Sequence, residues 1–448
     1  LLLVATPVLV LAVAGHGAHL TPAQAESARV GAAASKGTFA EVLLALAVIA
    51  LAARGVGAFF RRWLGQPAVM GEIAAGIALG PSVLGAVSPS AQAWVLPPGA
   101  APAVGTIANL GVVLFLFLVG LELDVRALAR SSRATLAIAH AGIAAPLVLG
   151  AALGLWLYPR YGSADVSFGV FALFLGVSMS VTAFPVLARL LTDRGMHRTP
   201  VGALALACAA VGDATAWLLL ALVEALAAAR SSGVASALLG SAAFVGVALL
   251  VARPVLARLA AREEATAGPV SRGALGLALV LALAGAAATE RIGIHALFGS
   301  FFVGVVAPHA GKLAEGLRER VEDLVVVLFL PAFFAFTGLR TELGLVATAS
   351  DWLVCGVIVA VATAGKLGGT VVASRAAGLE WREAGTLGVL MNTRGLMELV
   401  VLHVGLELGA ITPTLFSMLV VMALVTTFAT APLLRLVRAP ASHAPPRG

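Results

Sequence analysis

Charge is scarce in this chain. Asp, Glu, Lys and Arg make up 11% of its 448 residues, against 60% hydrophobic residues, where a soluble domain carries about 25% charged residues. That shortage excludes a water-soluble globular protein and leaves a polytopic membrane protein. Cysteine is scarcer still. Cys208 and Cys355 sit singly in apolar stretches and supply neither a disulfide framework nor metal-ligand spacing. No Walker A motif occurs, so nothing points to ATP as an energy source, and no enzymatic activity, cofactor or resident metal is expected. The net charge is +7, but it does not point to nucleic acid. Its Lys and Arg lie between apolar runs, where they set membrane topology.

What the chain does have is a series of apolar runs near the ~20 residues a bilayer-spanning helix needs. About thirteen are expected, near 38–57, 67–86, 104–121, 134–158, 167–191, 200–229, 236–254, 270–289, 293–309, 322–338, 352–373, 384–408 and 413–436. Basic residues fall in every second loop: Arg61 and Arg62; Arg126, Arg130 and Arg133; Arg189, Arg194 and Arg198; Arg253 to Arg272; Lys312 to Arg320; Arg375 and Arg382. Arg435 and Arg438 follow the last run, while Ser88 to Ala103 carries no charge. This alternation places the N-terminus outside and the C-terminus in the cytoplasm. Residues 1–37 read as a signal-peptide remnant and external segment, from the short apolar run Leu1–Gly15 and the small-x-small pattern Ala23-Gln24-Ala25. An extra first helix is the alternative. Residues 38–437 are the expected membrane domain and 438–448 a short cytoplasmic tail.

An internal repeat is visible. Leu110 to Leu116 resembles Leu324 to Leu330, each followed by Gly-Leu (Gly120-Leu121 and Gly338-Leu339) and then by Glu-Leu. Upstream of each lies a glycine-studded helix, with Glu72 four residues before Gly76 and His295 four before Gly299. The copies are seven helices apart, an odd number, so they have opposite orientations. Inverted repeats characterise secondary transporters, whose sites lie at the midplane between broken helices.

The polar residues inside the apolar runs carry the functional reading. Asp213 is the one acid in the run Val201 to Val223. A carboxylate in the bilayer costs roughly 2.5–3.5 kcal/mol on insertion scales and marks an ion or proton path by default; packing against a neighbouring helix is the bland alternative. The run near 167–191 holds Ser178, Ser180, Thr182 and Pro185. Proline frees a carbonyl, and freed backbone is tolerated at membrane depth only in protein or beside water. The run near 384–408 carries Asn392-Thr393-Arg394-Gly395, with Glu398 four residues on, on the same helix face as Arg394. We read both as interrupted helices that cross, their half-helix ends supplying partial charges at the midplane. Lys366, beside Gly365, Gly368 and Gly369, is the cation expected to face Asp213. It either forms a salt bridge broken when a cation binds or simply neutralises the acid. Glu72 lines a cavity, pairs with Arg394, or sits near the cytoplasmic interface. His295 and His403 read as packed or interfacial histidines, and Glu290 as a loop charge.

At these residues the chain resembles the membrane domain of the monovalent cation:proton antiporters, in the branch of glutathione-gated bacterial potassium efflux proteins and plant cation/proton exchangers. The matching stretches are LGQPAVMGEIAAGIALGPSVLG (64–85), LGVVLFLFLVGLELD (110–124), SVTAFPVLARLL (180–191), GIHALFGSFFVGVVAP (293–308), GKLGGT (365–370) and MNTRGLMELVVLHVGLELG (391–409). The resemblance implies an all-α, thirteen-helix homodimer with a scaffold and a mobile core. It puts the family's ion-binding acid at Asp213 and its core lysine at Lys366. The residue before that acid is Asp or Asn in the family and Gly212 here, which leans toward one-for-one exchange. Many family members continue into a nucleotide-binding domain; none is expected here.

The expected activity is exchange of a monovalent cation, K⁺ or Na⁺, for H⁺ by alternating access. Asp213 would take a proton or a partly dehydrated cation, with Thr182, carbonyls and water completing an oxygen shell. The alternatives are a cation-coupled symporter of a small organic solute on the same architecture, and a cation channel. A channel needs a continuous polar pore, for which the polar residues are too few.

Overall fold

In hydrocarbon a backbone must satisfy its own amides and carbonyls, so apolar runs fold as helices. The computed structural model describes residues 2–17, 20, 38–122, 132–163, 166–196, 199–232, 234–292 and 294–437. The main helices are α1 Leu2–Gly17, α2 Phe39–Phe59, α3 Ala68–Leu79, α4 Ala101–Glu122, α5 Arg133–Tyr161, α6 Phe168–Ser180, α7 Phe184–Asp193, α8 Pro200–Ser232, α9 Val234–Val247, α10 Arg253–Ala265, α11 Arg272–Ile292, α12 Ala296–Val306, α13 Lys312–Leu317, α14 Leu330–Leu339, α15 Ala349–Ala376, α16 Trp381–Met391, α17 Leu396–Glu407 and α18 Pro413–Val437. No strand occurs among the described residues. Starts are marked by side-chain caps. Thr38 with Glu41 and Thr348 with Asp351 form capping boxes, each satisfying amides that the first turn leaves free.

Ten helices among the described residues are long and apolar enough to cross a membrane. Of the expected spans, three are not among these ten. Two are the interrupted segments α6–α7 and α16–α17. The third is α12, whose 11 residues reach only about 16 Å. Large side chains point outward, among them Leu51, Leu218, Leu250 and Val372, each at least 70% exposed. Such a belt suits lipid and would aggregate in water; the chain is a multi-pass membrane protein. In the stretch read as a leader remnant, α1 lies against α5 and α6. Ala23 to Ala25, Arg126, Arg130, Arg198 and the tail 438–448 lie outside the described residues.

The helices pack in two groups. One contains α2, α3, α4, α11, α12 and α14; the other contains α5, α6, α8, α15, α16 and α18. Within the first group the repeat expresses itself as one crossing made twice. A Cβ on Gly76 would stand 2.0 Å from Ala335 O, and one on Gly338 2.3 Å from Ile73 O, where α3 crosses α14. A Cβ on Gly304 would stand 2.2 Å from Phe117 O, and one on Gly120 2.2 Å from Phe301 O, where α12 crosses α4. Each glycine-studded helix thus meets the Gly-Leu helix of the other copy, backbone on backbone. In the second group, Gly365 and Gly369 bring α15 against Pro146 and Ala141 of α5. That close approach carries Lys366 into the centre, fully buried.

Candidate ion-binding site

Two helices break at one level and hold each other open. Helix α6 ends at Ser180, and its last carbonyls lead into an extended stretch before α7 begins at Phe184. Pro185 falls in the first turn of α7, where a missing amide costs little, so it starts a half-helix rather than kinking a whole one. Helix α16 ends at Met391 and α17 begins after Gly395, which has φ 159°. A Cβ there would also approach Val186 Cγ2 to 2.9 Å. The breaks are stitched together. Ala183 N–H donates to Thr393 O at 3.0 Å, and the Thr182 hydroxyl donates to Met391 O at 3.2 Å. Thr427 of α18 accepts from Arg394 N–H at 3.0 Å and donates to Arg394 O at 2.7 Å. Backbone freed by the breaks is thereby satisfied without water.

Two buried cations cap the C-terminal end of α6, where the helix dipole is negative. Arg394 Nη1 donates to Ser178 O at 2.9 Å and to Glu398 Oε2 at 2.9 Å, and its Nη2 donates to Met179 O. Lys366 Nζ donates to Ser180 O, while the Ser180 hydroxyl turns back to Val177 O at 2.8 Å. Arg394, Glu398 and Lys366 are all inaccessible to solvent. The pairing of Arg394 with Glu398 is as read from their spacing. Lys366 is a charged neighbour of Asp213, but no ion pair within 4.0 Å joins them; its bond goes to the end of α6. Glu72 stands apart on α3, against Gly57 and with Arg54 and Arg61 as charged neighbours. Glu398, not Glu72, is the acid on Arg394.

Asp213 lies in α8, 6% exposed. The backbone amide of Phe184, the first residue of α7, is a polar neighbour of its carboxylate. Its Oδ1 has no hydrogen-bond partner. Asn392 Oδ1 and Thr393 Oγ1, at the second break, are likewise buried without partners. Buried oxygens are almost always paired, and an oxygen left unpaired is what a proton or a hard cation binds. No group of three or more His, Cys, Asp or Glu suited to a resident metal ion occurs among the described residues.

Further along α8 lies a second polar region that the sequence reading did not anticipate. Glu224 is fully buried. Its Oε2 accepts from His295 N–H at 2.7 Å, while its Oε1 has no partner. His295 Nε2 lies 2.8 Å from Glu407 Oε2, His403 Nε2 3.0 Å from Glu407 Oε1, and Arg340 Nη1 3.9 Å from the same oxygen. The signal was present: Glu224 is 11 residues beyond Asp213, about three turns and therefore on the same helix face. Between them on that face, Trp217 packs on Phe298 at 6.0 Å and Phe301 at 5.7 Å, ring centroid to centroid. At the opposite, arginine-bearing end lies a cavity of ≈430 Å³ lined by Arg61, Gln66, Leu190, Arg194 and Arg435 among others.

The chain is 41% identical over 396 residues to a Na⁺/H⁺ antiporter, NhaS4, of Synechocystis sp., covering 88% of this chain and 96% of that one. It is 41% identical to cation/H⁺ antiporter 19 of Arabidopsis thaliana, covering 87% of this chain, and 34% identical to K⁺/H⁺ antiporter 1 of Saccharomyces cerevisiae, covering 83%. The chain spans about half the length of these last two, 48% and 43%. Its fold is similar to that of the sodium proton antiporter MjNhaP1 from Methanocaldococcus jannaschii, with a TM-score of 0.64, 14% identity, and coverage of 89% of this chain and 98% of that one. Residues 27–436 match the family described as the sodium/hydrogen exchanger, transmembrane, and the chain belongs to that family.

Proposed function

We propose that this protein is a secondary active antiporter, exchanging a monovalent cation, K⁺ or Na⁺, for H⁺ across the cell membrane by alternating access. The observation that carries the reading is the unpartnered Asp213 Oδ1, buried in the helix that runs beside the two crossing breaks. A carboxylate with a free, buried oxygen accepts a proton or a cation, and the two compete. Asn392 Oδ1 and Thr393 Oγ1 supply further oxygens, and the Thr182 oxygen keeps its lone pairs after donating to Met391. Lys366 and Arg394 hold the end of α6.

Coupling follows from charge. A loaded carboxylate is neutral with either passenger and moves with its helix group; an empty one is costly to carry through hydrocarbon. The arginine-bearing ends face the cytoplasm, with the N-terminus outside and the C-terminus inside. With that orientation the cavity of ≈430 Å³ lies at the cytoplasmic end and the Trp217 contact lies toward the outside. As in the resemblance, two copies form the working unit in the bilayer. The names of the relatives, sodium for the cyanobacterial protein and potassium for the yeast one, support either cation.

The test is purified protein in proteoliposomes loaded with a pH-reporting dye. Adding K⁺ or Na⁺ should drive proton flux in the wild type and none in Asp213→Asn. Equal flux in that variant would refute the assignment, and currents far above carrier turnover under voltage clamp would indicate a channel instead.

A further inference from the structure

Each of the two acids on one face of α8 keeps a buried carboxylate oxygen without a partner. Asp213 lies beside the backbone amide of Phe184, which opens α7, and its Oδ1 is unpartnered. Glu224 gives one oxygen to the N–H of His295, immediately before α12, and leaves the other unpartnered. Both are buried. A carboxylate that served only to cap α12 would need one oxygen. Glu290 already accepts from the neighbouring amide, Ala296 N–H, at 2.9 Å. The surplus buried oxygen is therefore unaccounted for by packing, and buried carboxylate oxygens are rarely left so.

Position gives that oxygen a use. Asp213, Trp217, Leu220 and Glu224 recur at helical spacing along α8. Trp217 with Phe298 and Phe301 closes the contact between the helix groups, with Asp213 on the inner side and Glu224 on the outer. Glu407, one-third exposed, stands at the mouth. Around Glu224 are His295 and Glu290 from the first helix group and Glu407 from the end of α17. Glu407 in turn has His295, His403 and Arg340 within 4.0 Å of its oxygens, whereas Glu224 Oε1 has no hydrogen-bond partner. Metal-like clustering is absent among the described residues, which suits a passing monovalent ion or proton rather than a resident divalent one.

We propose that Glu224 is an outer station for the transported cation and proton, three turns from Asp213 and separated from it by the Trp217–Phe298–Phe301 contact. It rests on the exchange reading above. A cation entering from outside meets Glu407, is held at Glu224, and passes to Asp213 when the aromatic contact opens. The station belongs to the outer path only, so its loss is sided, whereas loss of Asp213 is not.

Right-side-out and inside-out vesicles from a host lacking its own exchangers test this with Glu224→Gln. Glutamine still accepts from His295 N–H, so the cap on α12 survives. The external apparent KM for the driving cation should rise about tenfold or more, as expected when a charge-assisted contact is lost, with the cytoplasmic KM unchanged. Glu224→Asp should restore part of the external affinity. Equal shifts on both faces, or none, would reduce Glu224 to a helix cap and overturn the proposal. Inactive wild-type vesicles would instead sink the exchange reading itself. A second measurement needs no transport. Infrared difference spectra of Asp213→Asn on adding Na⁺ or K⁺ should keep a carboxylate band shift that Asp213→Asn/Glu224→Gln loses; identical spectra would also overturn it.

Discussion

Glu398→Gln isolates the charge that Arg394 needs. The two side chains meet at 2.9 Å and neither is accessible to solvent. Glutamine keeps an acceptor oxygen for Nη1, so the variant removes charge and little else. At about 4 Å between charge centres and an effective dielectric near 20, the lost attraction is roughly 4 kcal/mol. Removing one partner of a buried pair costs about 3–5 kcal/mol by comparison with other proteins. A guanidinium cannot shed its proton to escape, and the nearby Lys366 adds to the excess of positive charge. For a chain of 448 residues, ~1 kcal/mol corresponds to roughly 1 °C in Tm, so Glu398→Gln should melt about 3–5 °C below wild type in lipid nanodiscs. Arg394→Met removes the same pair and also strips donors from Ser178 O and Met179 O, each orphan costing about 1–3 kcal/mol. It should therefore be the worse single variant. The double variant should add little to Arg394→Met, a coupling about as large as the Glu398→Gln loss itself, roughly 3–5 kcal/mol. Thermal unfolding followed by intrinsic fluorescence reads all three. Additive effects within about 0.5 kcal/mol, or Glu398→Gln melting with the wild type, would refute the account of a charge held by its neighbour.

Two further outcomes follow from the same geometry. Thr427→Val keeps shape but removes the acceptor for Arg394 N–H and the donor to Arg394 O; a loss of about 1–3 kcal/mol is expected, read as lowered Tm, whereas a neutral result would mean the second break is held elsewhere. Gly212→Asp should fold, because a Cβ at Gly212 meets nothing within 4 Å. With a second acid beside Asp213, exchange should become dependent on membrane potential in proteoliposomes; potential-independent flux would remove the link drawn from Gly212 to one-for-one exchange.

Much of this was legible without coordinates because lipid imposes strict rules on sequence. Any run long and apolar enough must be helical, and any polar group within it must have a reason. Asp213, Lys366 and the two polar interruptions stood out as exceptions in apolar runs, and spacing alone joined Arg394 to Glu398. The Gly76–Gly338 and Gly120–Gly304 crossings were foreshadowed as a faint repeat. Helix α12 was harder, since its apolar run extends beyond its 11 helical residues.

What the sequence determined by itself was the class of molecule, ten of its thirteen expected spans and the identity of its unusual residues, since composition and periodicity are local properties. Which group answers which was decided only in three dimensions. Lys366 lies 186 positions from the carbonyl it caps and looked from the sequence like the partner of Asp213. The end of α6 offers it bare carbonyls at closer range, so its hydrogen bond goes there. Nothing in the sequence pattern joins Glu224 to Glu407; only the antiparallel approach of α8 and α12, which sets His295 against Glu224, gathers them around one buried oxygen. Contacts between distant stretches depend on how helices cross, and that is settled by backbone shape at a few glycines rather than by the polarity pattern that the chain displays.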